Sequence, residues 1–451
     1  MNVDAVARDY PRSFGPVKFA VPGFEQINAA AYWDYQRAKV YVRSSDRLRR
    51  ISLARLRLRK PVKPDKVIQV KEMRPPCCAR CGETVIYKNG RLARTVHDLR
   101  FSATGVRRCI TRYLFNRYQC WSCKAGFKEL PRLPKYGRDL KAFVAYQLIE
   151  LRIAQRALTR HFETVFGIDV PKQSMNQIKS SLANDYAATY GAVLRRIAAG
   201  GLVHADETRV IVEGVHRYVW VFTNLEEVAY MYGESREAAT VHEVLGDFRG
   251  ILVSDFYTAY DGLPCGQQKC LIHLMRDLNE DVRKQPFNDE MKEIAYTFGA
   301  LIRPIIETID HFGLKRHHLR KHKVAIARFY DHLSRRQFQT EVAIGYRKRF
   351  EKQRERLFTF LDHDGVPWNN NNAEHAIKAF ARLRNVIGSN STPKGIREYL
   401  ILLSINETCK YKGLNFLSFL RSGETDIRAF CELTSRARIS RMRRAQGSRR
   451  D

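Results

Sequence analysis

From residue 201 onward, apolar and polar side chains alternate with the two-residue period of strands. GLVHADETRVIVEG (201–214) predicts a strand, and HRYVWVFTN (216–224) a second one joined to it by a tight Glu213-Gly214 turn. VAYMYG (228–233) predicts a third. ESREAATVHEVLGDF (234–248) predicts a helix, and GILVSDFYTAY (250–260) an apolar strand that ends on an acid. Residues 136–190 carry helical spacing instead. Within them, ALTRHFETVFGIDVPKQSMNQIKSSLA (157–183) predicts helix, turn at Gly167 and helix, with Ser174 placed to cap the second. That pattern suits a DNA-binding helix-turn-helix, and equally any helical hairpin. After KCLIHLMRDL (269–278) the chain turns helical up to WNNNNAEHAIK (368–378). There Ala373, Ala376, Ile377 and Phe380 form an apolar stripe, and Asn371 with Glu374 forms a capping-box pattern.

Two acids interrupt the strand pattern. Asp206 sits mid-strand among Leu202, Val203, Val210 and Ile211, and Asp255 closes the run Ile251, Leu252, Val253. Burying a carboxylate is costly unless it is paired or bound to a cation; each acid alone also suits an exposed strand end. Three meandering strands, a helix and a further strand, with acids on the first and fourth, is the ribonuclease-H-like order. In it the first and fourth strands are neighbours, so Asp206 and Asp255 lie side by side, and two like charges that close favour a divalent metal. Glu374 borders the apolar stripe in the first turn of its helix. It serves either the capping box or, as a third carboxylate, a two-metal site for phosphoryl transfer. Lys378 and Arg382 share its side of the helix and would meet DNA phosphates. Asp261, before Gly262, is the rival to Asp255, with Asp277, Glu280 and Asp281 nearby. Asp362 and Asp364, in the loop HDGVP, are rivals to Glu374. Trp220 is expected in the core.

The ten cysteines add a second chemistry. CCARCG (77–82) and CWSCK (120–124) contain Cys78-x2-Cys81 and Cys120-x2-Cys123, and between them RRCITRYLFNRYQC (107–120) alternates as a strand. Four thiolates in two close pairs close a tetrahedral Zn²⁺ site, and Gly82 lets the first knuckle turn tightly. Cys77 is a redundant neighbour and Cys109 packs in a strand. Cys270-x2-His273 has the spacing of a metal pair but is expected to be structural, since no second pair accompanies it, or else His273 and Arg276 support the acidic site or contact DNA.

Composition says what surrounds these sites. The chain has 451 residues, 44% of them hydrophobic, and 79 Lys+Arg against 47 Asp+Glu give a net charge of +32, with a pI near 9.9. Such a balance points to a polyanionic partner, nucleic acid above all. Arg43, Arg47, Arg49, Arg50, Arg55, Arg57, Arg59 and Lys60 fall in one run before Pro61 and Pro64; it suits a solvated tail or an arm on the phosphate backbone. The tail RARISRMRRAQGSRRD (436–451) is basic as well. No membrane span and no secretory signal are expected, and CxxC pairs without a signal fit a reducing cytoplasm.

Several of these segments, in this order, resemble the insertion-sequence DDE transposases of family sixty-six. They are CxxCG…CxxC, HADET (204–208), WVF (220–222), SDFYTAY (254–260), CLIHLMR (270–276), NNAEHAIK (371–378), RNVIGS (384–389) and NETCKYKGLN (406–415). The resemblance spans about residues 75 to 420. It implies an acidic triad at Asp206, Asp255 and Glu374 holding two Mg²⁺ or Mn²⁺, and a zinc ribbon at Cys78, Cys81, Cys120 and Cys123. The family's E-R-A-L-R around the third acid is Glu374-His375-Ala376-Ile377-Lys378 here, and the leucine-rich coiled coil that opens the family's chains has no clear counterpart. The implied protein is a multidomain α+β chain. A basic arm (1–70), zinc ribbon (71–135) and helical DNA-binding module (136–195) precede a ribonuclease-H-like, retroviral-integrase-like catalytic domain (196–420). That domain carries a helical insertion at about 283–365, and a basic tail (421–451) comes after it. Its partners are element ends, target DNA, further copies of itself on DNA and accessory proteins of the element, in a bacterial cytoplasm at the nucleoid. A non-catalytic zinc-ribbon regulator and a nuclease without strand transfer are the alternative functions.

Overall fold

A computed structural model describes residues 63–70, 74–127, 133–387 and 391–436. The basic run with Arg49, Arg50, Arg55 and Arg57 lies outside the described residues, as does the tail beyond residue 436.

The cysteine region is a long ribbon. Strands β2 (Ile86–Ser102) and β3 (Gly105–Cys120) form one antiparallel hairpin, paired from Ile86↔Cys120 to Ser102↔Gly105 with an irregularity between Lys88 and Arg91. Short β1 (Lys66–Gln69) adds parallel to β3, and β4 (Gly126–Phe127) adds antiparallel to it. Asp98 ties the hairpin to the first helix. Its carboxylate accepts the backbone N–H of Leu140 at 2.8 Å, in the first turn of α1 (Arg138–Ile149).

Helices α2 (Gln155–Phe166), α3 (Lys172–Asp185) and α4 (Ala187–Ala198) come after α1. Gly167 ends α2 in the left-handed conformation (φ 63°), with Gly167 and Ile168 N–H groups closing on Glu163 and Phe162 carbonyls; only glycine adopts this without strain. Ser174 does not cap α3. That helix starts earlier than expected, at Lys172 behind Pro171, whose fixed φ of −63° suits a helix entrance.

The central sheet has the order β7-β6-β5-β8-β9. β5 (Leu202–Val212), β6 (Val215–Thr223) and β7 (Val228–Gly233) are the antiparallel meander. Glu213 (φ 51°) and Gly214 (φ 80°) both hold positive φ in the two-residue turn, as a hairpin with the right twist requires. After α5 (Ala238–Leu245), strand β8 (Ile251–Ser254) lies parallel to β5, and β9 (Gly266–Lys269) parallel to β8. The helix expected over 234–248 is thus shorter, and β9 is an element the sequence pattern does not announce.

Beyond the sheet come α6 (Leu271–Lys284), α7 (Asp289–Phe312), α8 (Arg316–Leu319), α9 (Lys323–Arg335), α10 (Glu341–Lys352) and α11 (Arg354–Leu357). They bury an apolar cluster of their own, including Phe298, Phe329 and Phe350, against Ile251 and Val253. Then α12 (Asn371–Ile387), α13 (Pro393–Tyr411) and α14 (Phe416–Ser422) return to the main core. That core also holds α1–α4 and the sheet, with Trp220 fully buried. The helices before residue 195 and the sheet after it thus share one core. On α13, Ser404 and Thr408 accept the backbone N–H groups of Tyr230 and Val228, covering the outer edge of β7.

Candidate active site and metal centres

Register places the first two acids together. The last parallel pair of β5 and β8 is His204↔Val253, and two residues further along each chain stand Asp206 and Asp255. Asp206 accepts the Glu207 N–H at 2.8 Å, and Asp255 accepts the Tyr257 N–H at 2.9 Å. Burial pushes the Asp206 carboxyl up to about 7, with the charges of Glu207, Asp255 and Glu374 adding to it. A site that holds so much negative charge out of water has the donor set of a hard divalent cation.

Helix α12 delivers the third acid, by a route other than the expected capping box. Asn371 is already helical, and the Glu374 N–H bonds the Asn370 carbonyl at 3.1 Å. Asn370 is fully buried. Its Nδ2 donates to the Ala205 carbonyl (2.8 Å), its Oδ1 meets His204 Nδ1 (3.1 Å), and its N–H donates to Cys270 Sγ (3.2 Å). Further along, Tyr230 donates to the Ala376 carbonyl and Arg384 to Thr208 and the Arg209 carbonyl. Glu374 is thereby held beside β5. Lys378 and Arg382 are exposed on the same helix.

The rival acids are occupied elsewhere. Asp261 pairs with buried Lys269 (3.1 Å) and with Arg356 (2.8 Å). Asp362 pairs with Lys323, and Asp364 accepts the Arg316 N–H. Glu207 belongs to the site instead, although the strand pattern singles out only its neighbour in HADET. It pairs with Arg236 (2.5 Å) and accepts the Tyr260 hydroxyl at 2.7 Å. Burial first, then Asp255, raises its carboxyl above the ordinary range.

Among the described residues, two groups of three or more ligand atoms lie within 4.8 Å of one another. One is Cys78, Cys81, Cys120 and Cys123, with Sγ···Sγ separations of 3.5 Å (Cys78–Cys123) and 3.6 Å (Cys81–Cys120). A tetrahedron with Zn–S bonds of about 2.3 Å has edges of about 3.8 Å, so the four sulfurs fit Zn²⁺. Gly82 holds φ at +74° in the first knuckle, Cys77 stands outside the group, and Cys109 lies in β3. The other group is Cys270, His273 and Glu374. The three acids do not together form so tight a group.

The profile of the transposase IS66 family matches residues 135–398, from the entrance of α1 into α13. The chain belongs to the transposase IS66 family. The match spans Asp206, Asp255 and Glu374 and begins after the four-cysteine ribbon. A search among curated proteins finds no match. As a member of a transposase family, the protein acts on DNA in recombination. Among the described residues no helix is long and apolar enough to cross a membrane.

Proposed function

We propose that this transposase cuts DNA at the ends of an insertion sequence and joins the freed ends to target DNA, with Asp206, Asp255 and Glu374 as ligands of two Mg²⁺ or Mn²⁺. The observation that carries this is the meeting of the three acids from β5, the end of β8 and the first turn of α12, where Asp206 is charged only at a cost. The sheet order, three meandering strands followed by two parallel ones, supports a ribonuclease-H-like catalytic domain.

The chemistry supplied by ions bound there is activation of the attacking oxygen and neutralisation of the leaving one. The residues provide the rest. Asp206 and Asp255 stand at the sheet end, and Asn370 fixes where the Glu374 helix starts. Glu207, tied to Arg236 and Tyr260, adds negative field without being free to replace a ligand. Lys378 and Arg382 take phosphates. In the first step water attacks phosphorus and the 3′-oxygen leaves; in the second the freed 3′-hydroxyl attacks a target phosphodiester and displaces the target strand's own 3′-oxygen. The ribbon, with structural Zn²⁺ on its four cysteines, joins α1–α4 and the arm with Arg49, Arg50, Arg55 and Arg57 in recognising element ends, as a homo-oligomer on DNA in the cytoplasm.

The test is metal-dependent joining of a labelled element end to plasmid. Asp206→Ala and Glu374→Ala are expected to lose on the order of a thousandfold in rate, about 4 kcal/mol of transition-state stabilisation. Equal joining by all three proteins would sink the triad. Cutting without joining would make the protein a nuclease, and binding alone a regulator.

A further inference from the structure

Cys270, His273 and Glu374 form a ligand set of which two-ion chemistry uses only Glu374. Cys270 is the fully buried residue that precedes α6, His273 stands one turn on, and Glu374 arrives from α12. Three details separate the cluster from a chance meeting. His273 Nε2 lies 3.7 Å from Glu374 Oε1. That is too long for a hydrogen bond, yet near the spacing of about 3.4 Å between two ligands bonded at about 2.1 Å to one tetrahedral ion. Glu374 Oε1 is buried without a hydrogen-bond partner, a costly condition that a bound cation relieves. The Cys270 sulfur is held in place by the Asn370 N–H at 3.2 Å. Thiolate, imidazole and carboxylate together are the donors of Zn²⁺ and Co²⁺, whereas Mg²⁺ takes oxygen ligands.

We propose that Cys270, His273 and Glu374 bind one thiophilic divalent cation of the Zn²⁺ class, and that this ion competes with the catalytic pair for Glu374. Binding displaces the Cys270 thiol proton to solvent and leaves a fourth position for water. The ligand set stands on geometry alone; the competition rests on Glu374 as the third acid of the triad. Zinc beyond the structural equivalent then inhibits joining by drawing Glu374 towards α6.

The experiment titrates the full chain, its four-cysteine site loaded with Zn²⁺, with Co²⁺ alone. Both metals are counted, and thiolate-to-cobalt charge transfer is followed by absorption. The wild type is expected to show a sulfur charge-transfer band that saturates at one equivalent of Co²⁺, and Cys270→Ser and His273→Ala to lose that band and one bound Co²⁺ while keeping their Zn²⁺. Because Cys270 is buried, Cys270→Ser can fail to fold, so His273→Ala, at a partly exposed position, decides. An unchanged band and stoichiometry in His273→Ala would overturn the site, as would Co²⁺ uptake without sulfur charge transfer. In joining assays, His273→Ala is expected to need at least tenfold more Zn²⁺ for half-inhibition, and equal sensitivity overturns the competition. If Asp206→Ala joins normally while Co²⁺ still binds through sulfur, the triad falls and the ligand set stands.

Discussion

Asp206 concentrates the electrostatics of the site in one side chain. Its carboxyl is pushed from an ordinary value of 3.8 up to about 7, by burial first and then by Glu207, Asp255 and Glu374. An acid whose pKa is higher folded than unfolded binds more protons in the native state, so the native state loses stability as pH rises through that window. Metal-free protein is therefore expected to lose stability from pH 4 to about 7, and Asp206→Asn to remove that dependence. At pH 8 the variant is expected to be more stable than wild type by about 1–3 kcal/mol, after allowance for solvent screening. Denaturant melts across pH check this, and a wild type that gains stability over the window contradicts it. Mg²⁺ is expected to raise the melting temperature of wild type and not of Asp206→Asn. The position of Asp206 is legible in the sequence because an acid amid a strand's apolar residues has few satisfactory environments. Glu207 is not, because successive strand side chains point to opposite faces; only Tyr260 and Arg236, distant in sequence, tie it to the site.

At the scale of elements, the site depends on how α12 is docked. The four asparagines suggest a cap, and the structure makes one of them a clamp. Asn370 bonds β5 through its side chain to Ala205 and His204, and bonds Cys270 at the start of α6 through its backbone N–H, so one buried residue joins three elements. Removing it leaves the Ala205 carbonyl and His204 Nδ1 unpaired in the interior. Asn370→Ala is expected to cost about 1–3 kcal/mol in denaturant unfolding. It is also expected to lower joining by tenfold or more at saturating Mg²⁺, with DNA-end binding unchanged. A variant that joins normally despite the lost stability would show that Glu374 finds its place without the clamp. The meander β5–β7 and strand β8 are legible because their apolar positions obey strand spacing. Strand β9 is not, because its GQQK consists of a glycine and polar residues, and the burial of the polar ones is offset mainly by long-range partners: Gln268 with Leu357 and Phe360, Lys269 with Asp261. The start of α3 differs from the expected one for a related reason, since Ser174 looks like a cap while Pro171 already begins the helix.

At the scale of the whole molecule, the +32 charge needs a surface on which to act. The β2–β3 hairpin supplies one. Arg91, Arg94, Arg100, Arg107, Arg112 and Arg117 are all exposed on it, and Arg100 stands directly opposite Arg107 in the ladder. Like charges facing each other across a strand pair are destabilising in isolation, and a phosphate backbone between or beside them reverses the sign. The ribbon's distance in sequence from Asp206 makes this separable from catalysis. Arg100→Ala with Arg107→Ala is expected to retain Zn²⁺ and slightly stabilise the free ribbon. Each phosphate contact contributes about 0.9 to the slope of log affinity against log salt, so the double variant is expected to flatten that slope by up to about 2. Fluorescence anisotropy with an element-end duplex over a salt series measures it. A slope equal to wild type would move the DNA off the ribbon. A flattened slope accompanied by loss of discrimination between end and random duplex would make the ribbon a reader of sequence. Flattening with discrimination intact would leave that reading to α2–α3 and confine the ribbon to the backbone.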